Sequence, residues 1–415
     1  MRTGYFSNKA VLAAVLAAGM TAAPARAQEA DVLHWWTSGG ESKAVGVFAD
    51  AFERQGGTWI DSAVVGGEAA RAAAMNRIAG GNPPTAMQWN IGVAVHTLAD
   101  EGLLANFDDL AGSEGWKDVL PPLVVENIVR DGHFVAIPVD IHATNWLWYN
   151  KKMLDELGLA APRTWEEFLQ AAERIEKAGH IPLALGGQGW QQSLLFMSVL
   201  IGSGGRDLYR RIYVDHDADA AAGEGVVRAF ETMRALTRYV DPGSPNRKWN
   251  DTTMLVANGK AAMQVMGDWA KGEFASAGLT LGEDYGCAPA PGTGDAYVLV
   301  VDVFAFPELD GEARQAQEKL ARIMMDPAVQ AEFSKHKGAL PARMDADIGA
   351  LDACARMGRE ILADTAAHLP NNALAFSNDV EGQINDLVGA FWSTPGMTAQ
   401  EAAEQFADIV ANADF

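Results

Sequence analysis

The residues best suited to chemistry lie near the start of the chain, where Trp35 and Trp36 precede Glu41 across a Gly39–Gly40 turn. Indole faces stack on flat apolar surfaces such as the face of a sugar ring, and a carboxylate accepts hydrogen bonds from hydroxyl groups. Apolar walls with a few placed polar groups are typical of small-ligand sites. The alternative is a buried first strand that leaves one Trp exposed, because large apolar residues are mostly core residues.

Three further tryptophans, Trp190, Trp249 and Trp269, stand among Gly, Asn, Asp and Lys residues instead of in aliphatic runs. Tryptophan favours positions where one edge of the ring is apolar and the other meets a polar group. These residues therefore indicate a lined cavity. Packing in the core is the alternative for each of them.

Catalytic and metal-binding motifs are absent from the sequence. It contains no G-x-S-x-G, H-E-x-x-H, Walker A or G-x-G-x-x-G pattern, and its eight His residues are scattered. We therefore expect no catalytic residue, no metal and no cofactor. One enzymatic alternative stays open, because Glu41 and Asp302 could meet in space as the carboxylate pair of an exported glycoside hydrolase.

The first 27 residues have the layout of a secretory signal peptide. A positive leader containing Arg2 and Lys9 precedes an apolar segment, residues 10–20, and an Ala-Arg-Ala cleavage motif that ends at Ala27. The apolar segment is shorter than the roughly 20 residues that span a bilayer. We expect cleavage after Ala27 and export of a soluble protein to the periplasm.

The chain is strongly acidic. Removal of residues 1–27 takes away three positive charges and no carboxylate, which changes the formal net charge from −22 to −25. A surface of this charge repels nucleic acid and anionic lipid, so we expect neither as a partner.

Two cysteines, Cys287 and Cys354, follow the leader. Two thiols in an exported chain are typical of a single disulfide, although two separate buried thiols fit the same count. We expect the disulfide because the compartment is oxidising.

Short strands alternate with amphipathic helices along the chain, which predicts an α/β fold with largely parallel sheets. The 388 residues after the leader exceed one ordinary core, so we expect two domains. Ligands of such sheets bind beyond the carboxyl ends of the strands. The loops 36–41, 88–90 and 186–190 follow predicted strands and could meet in one crevice.

Three segments are candidates for crossings between the two domains, namely residues 138–141, 298–306 and 337–341. Several crossings would form a hinge that lets two lobes close over a ligand. We expect a discontinuous N-terminal lobe, residues 28–138 with 299–340, and a discontinuous C-terminal lobe, residues 139–298 with 341–415.

Five stretches spread over nearly the whole mature chain carry a resemblance to a known family: Leu-His-Trp-Trp-Thr-Ser-Gly-Gly-Glu at 33–41, Thr-Asn-Trp-Leu-Trp-Tyr-Asn at 144–150, Met-Gly-Asp-Trp-Ala-Lys-Gly-Glu-Phe at 266–274, Pro-Gly-Thr at 291–293 and Lys-Gly-Ala-Leu-Pro-Ala-Arg at 337–343. The chain resembles the periplasmic sugar-binding proteins of ABC importers, often labelled extracellular solute-binding protein family 1, and within them the glucose-binding branch. The resemblance implies a two-lobed periplasmic-binding-protein fold, each lobe a mostly parallel sheet flanked by helices. It also implies a ligand in the interlobe cleft and three hinge segments, with no catalysis, metal or cofactor.

The resemblance also implies roles for single residues. Aromatic walls would come from Trp35, Trp36, Trp249 and Trp269. Hydrogen bonds to hydroxyls would come from Glu41, Gln88, Asp302 and Lys337. A charged group bonded to a neutral hydroxyl contributes about 1.5–3 kcal/mol, more than a neutral pair.

Two positions depart from the glucose-binding pattern. Asn90 stands where glucose binders have Lys or His two residues beyond the Gln, and Asn372 stands where they have a His. An amide offers both a donor and an acceptor, so the pattern does not specify glucose. With His142, these two residues are our candidates for ligand selection.

The sequence therefore predicts a periplasmic binding protein that captures a neutral monosaccharide, small oligosaccharide or polyol by lobe closure and delivers it to the permease subunits of an ABC importer. We expect a monomer that is not an enzyme. A binder for a charged solute such as an amino acid is a further alternative. The carboxylate of such a ligand would need an Arg that binds both of its oxygens, and the Trp-rich segments offer no clear candidate.

Overall fold

A computed structural model describes residues 28–349 and 351–413, together with Met1, Thr3 and Gly4. Most of the predicted signal peptide, including its cleavage motif, lies outside the described residues. Within the described part of the chain, no helix combines the length and the apolar character needed to cross a membrane.

The strands are β1 (Glu29–His34), β2 (Thr58–Ala63), β3 (Ala86–Asn90), β4 (Val129–Arg130), β5 (His133–Phe134), β6 (Ala136–Pro138), β7 (Asp140–Ala143), β8 (Trp146–Asn150), β9 (Ile181–Leu183), β10 (Ala261–Met266), β11 (Tyr285–Pro289), β12 (Tyr297–Val300), β13 (Asp302–Ala305), β14 (Leu340–Pro341) and β15 (His368–Pro370). The helices are α1 (Gly39–Arg54), α2 (Gly67–Ala79), α3 (Val93–Asp100), α4 (Asp108–Glu114), α5 (Trp116–Val119), α6 (Pro122–Ile128), α7 (Lys151–Glu156), α8 (Trp165–Lys177), α9 (Gly189–Tyr213), α10 (Ala218–Ala221), α11 (Glu224–Leu236), α12 (Trp249–Ala257), α13 (Ala270–Ser276), α14 (Gly311–Met324), α15 (Pro327–Lys337), α16 (Ala353–Leu362), α17 (Asn372–Ala375), α18 (Asn378–Ser393) and α19 (Ala399–Ala411). Short 3-10 turns occupy Thr237–Tyr239, Ser244–Asn246 and Thr365–Ala367.

The first sheet has the strand order β2-β1-β3-β13-β6 and is the centre of the N-terminal lobe. Helices α1, α14 and α15 pack together on one side of it. The buried positions of α1 recur at helical spacing, and its Phe48 stacks on Phe333 of α15 with ring centroids 4.6 Å apart. This packing fixes the start of α1 relative to the end of α15, where two of the predicted site residues stand.

The second sheet has the order β11-β8-β10-β9 and is the centre of the C-terminal lobe. Its largest helix, α9, is buried over residues 191–201 and packs against α11 and α18. The helix bends where Gly205 adopts a φ of 82°. The fold is thus α/β with two lobes, as expected from the sequence.

The strands of each lobe run mostly in one direction, as expected, but each sheet contains one reversed strand, β13 in the N-terminal lobe and β8 in the C-terminal lobe. In the N-terminal lobe β1 runs parallel to β2 and β3, but β13 is antiparallel to both β3 and β6. In the C-terminal lobe β9, β10 and β11 run in one direction, and β8 lies between β10 and β11 antiparallel to both. The reason is the direction of entry: β8 and β13 start at the junction of the lobes and run away from it, whereas their neighbours run toward it.

Three chain segments between the lobes lie side by side in a third sheet of order β14-β7-β12-β15. β6 continues into β7, β12 continues into β13, and α15 is followed by β14. β7 pairs antiparallel with β12 on one side and with β14 on the other. The predicted crossing segments 138–141, 298–306 and 337–341 all lie in this region. The residue limits of the two lobes stay a prediction.

A disulfide joins Cys287 of β11 to Cys354 of α16, with Cα atoms 6.2 Å apart. The bridge ties α16, which follows the third crossing, to the edge strand of the C-terminal sheet. It closes a loop of 67 residues that contains the second and third crossings and everything between them.

Candidate functional site

Glu41 is the third residue of α1, and hydrogen bonds at the start of that helix hold its side chain in place. Its backbone N–H donates to Ser38 Oγ (3.4 Å), and its Oε2 accepts a hydrogen bond from the Ser38 N–H (3.3 Å). This reciprocal pair is a capping box, which satisfies backbone donors that the first turn leaves free. The other carboxylate oxygen, Oε1, lies 3.9 Å from Lys337 Nζ.

Lys337 is the last residue of α15 and is only 3% exposed. Its ammonium lies between two carboxylates, Glu41 at 3.9 Å and Asp302 at 3.8 Å. It also lies over two indole rings, 5.5 Å from the centroid of Trp36 and 5.7 Å from that of Trp269. A cation over an indole face is attracted by the ring quadrupole. Lys337 therefore joins the acidic and aromatic residues of the site in one cluster.

Asp302 opens β13 and stands opposite Asn90, the last residue of β3. The Asn90 amide donates to Asp302 Oδ1 at 2.7 Å. Gln88 is two residues earlier on β3, so its side chain leaves the same face of the strand. Its Oε1 accepts a hydrogen bond from the Trp35 N–H at 3.0 Å. The carboxyl end of β3 thus presents two amides beside one carboxylate.

His142 on β7 is enclosed by three carboxylates. Its Nδ1 is hydrogen bonded to Asp268, which also accepts the Ala143 N–H at 3.1 Å. Its Nε2 lies 3.0 Å from Asp140 and 3.3 Å from Asp302. The Lys337 ammonium is 3.2 Å from the same nitrogen.

The pKa shifts follow from burial and from these neighbours. Burial and the Lys337 charge would lower the pKa of His142, but the charges of Asp140 and Asp268 outweigh them and hold that pKa well above its usual value. Burial would raise the pKa of Asp302, yet the His142 hydrogen bond and the Lys337 charge keep it below its usual value. Burial would lower the pKa of Lys337, and Asp302 and Glu41 raise it instead. At neutral pH the cluster therefore contains two cations, His142 and Lys337, among its carboxylates.

Burial dominates for two of the acids. It raises the pKa of Asp140, partly offset by the charge of His142. It also raises the pKa of Glu41, partly offset by Lys337. These two carboxyls therefore take up protons at higher pH than Asp302 does.

Asp140, His142 and Asp302 are close enough to share a metal ion by residue type and spacing. The Lys337 ammonium, however, lies against the His142 nitrogen that would have to bind the metal. A second cation at that point would be repelled by it. The arrangement therefore fits an ion-paired network better than a metal centre.

The two lobes touch next to the cluster. The Gly40 N–H at the start of α1 donates to Glu273 of α13 at 2.8 Å, and Lys43 donates to Ser276 at 2.9 Å. A Cβ on Gly40 would lie 2.7 Å from the carbonyl carbon of Gly272. The absence of a side chain at Gly40 is what allows α1 and α13 to approach this closely.

The structure brings most of the predicted site residues into one region. The contacts above link Trp36, Glu41, Asn90, His142, Trp269, Asp302 and Lys337, and Gln88 lies beside them. Trp36 is 1% exposed and packs on Phe304 and Phe333, so most of its ring belongs to the core of the N-terminal lobe.

Three predicted residues make other contacts. Trp35 lies under the Arg71 guanidinium, 5.7 Å from its ring centroid. Trp249 opens α12, where its N–H donates to Gln188 Oε1 at 3.2 Å. Asn372 donates to Ser193 at 3.0 Å and is 3% exposed. These contacts do not connect Trp249 or Asn372 to Lys337.

Sequence reasoning missed the roles of Asp140, Asp268 and Glu273. A signal for the first existed, because Asp140 and His142 are two residues apart and therefore share one face of a strand. Asp268 and Glu273 flank the recognised Trp269 in sequence, but only the packing of α13 against α1 and β7 shows what they contact.

Two lobes joined by three adjacent strands, with charged and aromatic side chains gathered between them, define a class of receptor that closes over a small solute. A family model described as bacterial extracellular solute-binding protein matches residues 48–351. The chain belongs to this family of extracellular solute-binding proteins.

Curated relatives agree with the family. The chain is 40% identical over 357 residues to a probable sugar-binding periplasmic protein of Brucella melitensis, covering 85% of this chain and 83% of the relative. It is 38% identical over 383 residues to a probable sugar-binding periplasmic protein of Rhizobium meliloti, covering 92% and 90%. It is 29% identical over 329 residues to an uncharacterised ABC transporter extracellular-binding protein of Pyrococcus horikoshii, covering 77% and 73%. The chain is accordingly a periplasmic solute-binding protein.

Solved structures support the fold. A chitin oligosaccharide binding protein superposes with a TM-score of 0.79 at 18% identity, covering 93% of this chain and 99% of that one. A maltose-bound MalE3 of T. maritima superposes with a TM-score of 0.78 at 20% identity, covering 92% and 99%. At this identity the comparison establishes the two-lobed fold alone.

Proposed function

We propose that this protein is the sugar-binding component of an ABC-type import system. It captures a neutral monosaccharide, small oligosaccharide or polyol between its lobes and delivers it to the permease subunits in the inner membrane. The observation that carries the proposal is Lys337, which lies over Trp36 and Trp269 and between Glu41 and Asp302. Charged groups and indole faces next to one another match what hydroxyls and the faces of a sugar ring require.

Closure supplies the mechanism. A ligand shifts an equilibrium between open and closed lobes only if it binds the closed state more tightly. Glu41 and Asn90 belong to elements of the N-terminal lobe, whereas Trp269 precedes α13 of the C-terminal lobe. A sugar that touches both sets gains its extra contacts only when the lobes are together.

The names of the relatives support a sugar ligand and an ABC permease as partner. We further propose that the protein acts as a monomer and without catalysis. Glu41 and Asp302, the pair that a glycoside hydrolase would use, both face the Lys337 ammonium. This ammonium only partly offsets the burial that raises the pKa of Glu41, so the absence of catalysis is tested directly with aryl glycosides.

A thermal-shift screen tests the proposal. The mature protein is heated with monosaccharides, disaccharides, polyols and, as a separate arm, amino acids. A ligand present at one hundred times its dissociation constant stabilises the folded state by about 2.7 kcal/mol, which gives a readily measured rise in Tm. We expect such a rise for at least one neutral sugar or polyol, and confirmation by calorimetric titration.

The same preparation is incubated with aryl glycosides to test hydrolysis. Turnover that disappears in Glu41→Gln would contradict the proposal and favour the hydrolase. A rise in Tm with amino acids alone would instead support a binder of charged solutes.

A further inference from the structure

The charged residues of the site come from all three crossings between the lobes. Asp140 and His142 stand on β7 of the first crossing, Asp302 opens β13 after the second, and Lys337 precedes β14 of the third. The His142 ring meets all of the others: Asp140 at 3.0 Å, Lys337 at 3.2 Å and Asp302 at 3.3 Å. His142 is therefore linked by charge to carboxylates of the first and second crossings, and Lys337 of the third crossing is linked to it through their shared partner Asp302.

His142 itself is enclosed by protein. It is 1% exposed, its Nδ1 is hydrogen bonded to Asp268, and its Nε2 faces Asp140, Asp302 and Lys337. The edge of the ring also meets the Trp269 indole, with centroids 5.2 Å apart. Both ring nitrogens are thus engaged by groups of the protein. The role that the sequence analysis assigns to His142, selection of the ligand, stays a prediction.

We propose that His142 is a positioning residue, an imidazolium that fixes Asp302, Lys337 and Trp269 in the arrangement that binds sugar. The inference rests on the proposed function, because it concerns the same site. His142 acts through its neighbours and does not contact the ligand.

The charges explain why the imidazolium matters. Asp140 and Asp302 face each other across the His142 nitrogen, and like charges at this distance repel strongly when they are buried. The imidazolium offsets both carboxylates, and their attraction holds it in place against the repulsion of the Lys337 ammonium 3.2 Å away, while Lys337 bridges Glu41 and Asp302. A neutral ring would leave Lys337 as the only cation beside these carboxylates, and we expect its ammonium to move toward Asp140 and away from Glu41.

A pH profile of the unmodified protein tests the inference first. The titratable groups that face His142 or its partners are Asp140 on β7, Asp268 before α13, Asp302 on β13, Lys337 on α15, Glu41 on α1 and Tyr297 on β12. The pKa values of Lys337 and Tyr297 are raised above their already alkaline usual values, so both groups stay protonated well into the alkaline range. We expect the dissociation constant for the sugar identified by the thermal-shift screen to be flat near neutral pH and to rise roughly tenfold or more on the alkaline side.

Two variants assign that change to His142. His142→Gln should bind the sugar roughly tenfold more weakly at neutral pH and show no alkaline change. Asp268→Asn removes one carboxylate from the imidazole while keeping its shape, so it should move the alkaline change to lower pH. His96→Gln is the matched control, because His96 is a half-buried histidine that bonds the Asn127 carbonyl on α6, away from the site.

The outcomes separate the two proposals. If the unmodified protein binds no sugar, the proposed function fails. If it binds sugar with a flat alkaline profile, or if His142→Gln binds as tightly as the parent, the inference about His142 is wrong while the function stands. Should His142→Gln not fold, the parent profile and Asp268→Asn decide, since a merely structural histidine would not shift the pH dependence of affinity.

Discussion

At the scale of single residues, Lys337 shows how one side chain links the parts of the site. Its ammonium is buried, yet it is compensated by Glu41 and Asp302 and lies against two indole rings. Removing one partner of a buried ion pair leaves the other charge uncompensated, which is why the residues around Lys337 are expected to be sensitive to substitution.

Asp302→Asn tests this sensitivity. The variant removes a charge but keeps the shape of the side chain, so we expect the affinity for sugar to fall by about 1.5–3 kcal/mol, roughly ten- to hundredfold. Calorimetric titration measures the affinity, and a melting curve reports any loss of stability. Asp295→Asn is the control, because Asp295 forms an exposed ion pair with Arg206. An Asp302→Asn protein that binds as tightly as the control would exclude Asp302 from the site.

The sequence pointed to much of this residue-level arrangement and missed part of it. Trp36, Glu41, Trp269, Asp302 and Lys337 stand in separate segments, and the resemblance to a family of known architecture indicated that they meet. The resemblance could not indicate which buried charged residues, such as Asp140 and Asp268, lie close to these side chains. That depends on the pairing of β7 between β12 and β14, which no local pattern encodes.

At the scale of elements, the approach of α1 to α13 is set by glycine and by a helix end. The first turn of α1 has free N–H groups and a partial positive charge, and Glu273 of α13 accepts one of those N–H groups from the opposite lobe. Gly40 permits this contact since any side chain there would meet the backbone of Gly272. The contact belongs to the state in which the lobes are together.

Gly40→Ala tests the role of this contact in closure. The added methyl would lie 2.7 Å from the Gly272 carbonyl carbon, so we expect the lobes to be held apart and the affinity for sugar to fall at least tenfold. Small-angle X-ray scattering should show a larger radius of gyration for the variant in the presence of sugar. Gly46→Ala is the control on the same helix, because its Cβ would meet no atom within 4 Å and should slightly stabilise α1. Equal affinities for the two variants would mean that this contact does not govern closure.

The elements themselves and the direction of most strands were predictable, but the reversal of β8 and β13 was not. Turn signals and hydrophobic spacing predict strands over 31–36, 58–65 and 85–89 and helices over 42–55 and 68–79, and each end lies within three residues of the observed β1, β2, β3, α1 and α2. The direction of β13 depends on which lobe the chain has just left. The order in which the chain crosses between the lobes, over residues 138–341, determines this. Alternation of strands and helices alone favours parallel pairing, so the sequence-based expectation went to the wrong direction for the returning strands.

At the scale of the whole molecule, the loop closed by the Cys287–Cys354 bridge contains the whole segment in which the chain returns to the N-terminal lobe and leaves it again. The bridge spans 67 residues, and it joins α16 to β11 after the chain has returned. In the chain-entropy account, a closed loop of this length restricts the unfolded state strongly. The bridge therefore stabilises both lobes, although both of its sulfurs lie in one.

Reduction of the bridge should lower the free energy of unfolding by about 4 kcal/mol. Urea unfolding with and without a reductant, compared with the Cys287→Ser/Cys354→Ser double variant, measures the effect. The reduced protein and the double variant should unfold at the same lower urea concentration. An unchanged urea midpoint after reduction would contradict the prediction and would mean that the disulfide does not restrict the unfolded chain further.

The small sheet formed by β14, β7 and β12 has a mechanical consequence. Three strands that are hydrogen bonded side by side resist sliding past one another, so we expect them to bend together as one sheet. The lobes are thus left with essentially one axis of swing, and twisting or shearing motions would have to break main-chain hydrogen bonds. Motion about a single axis would bring the same faces of the two lobes together each time the cleft closes.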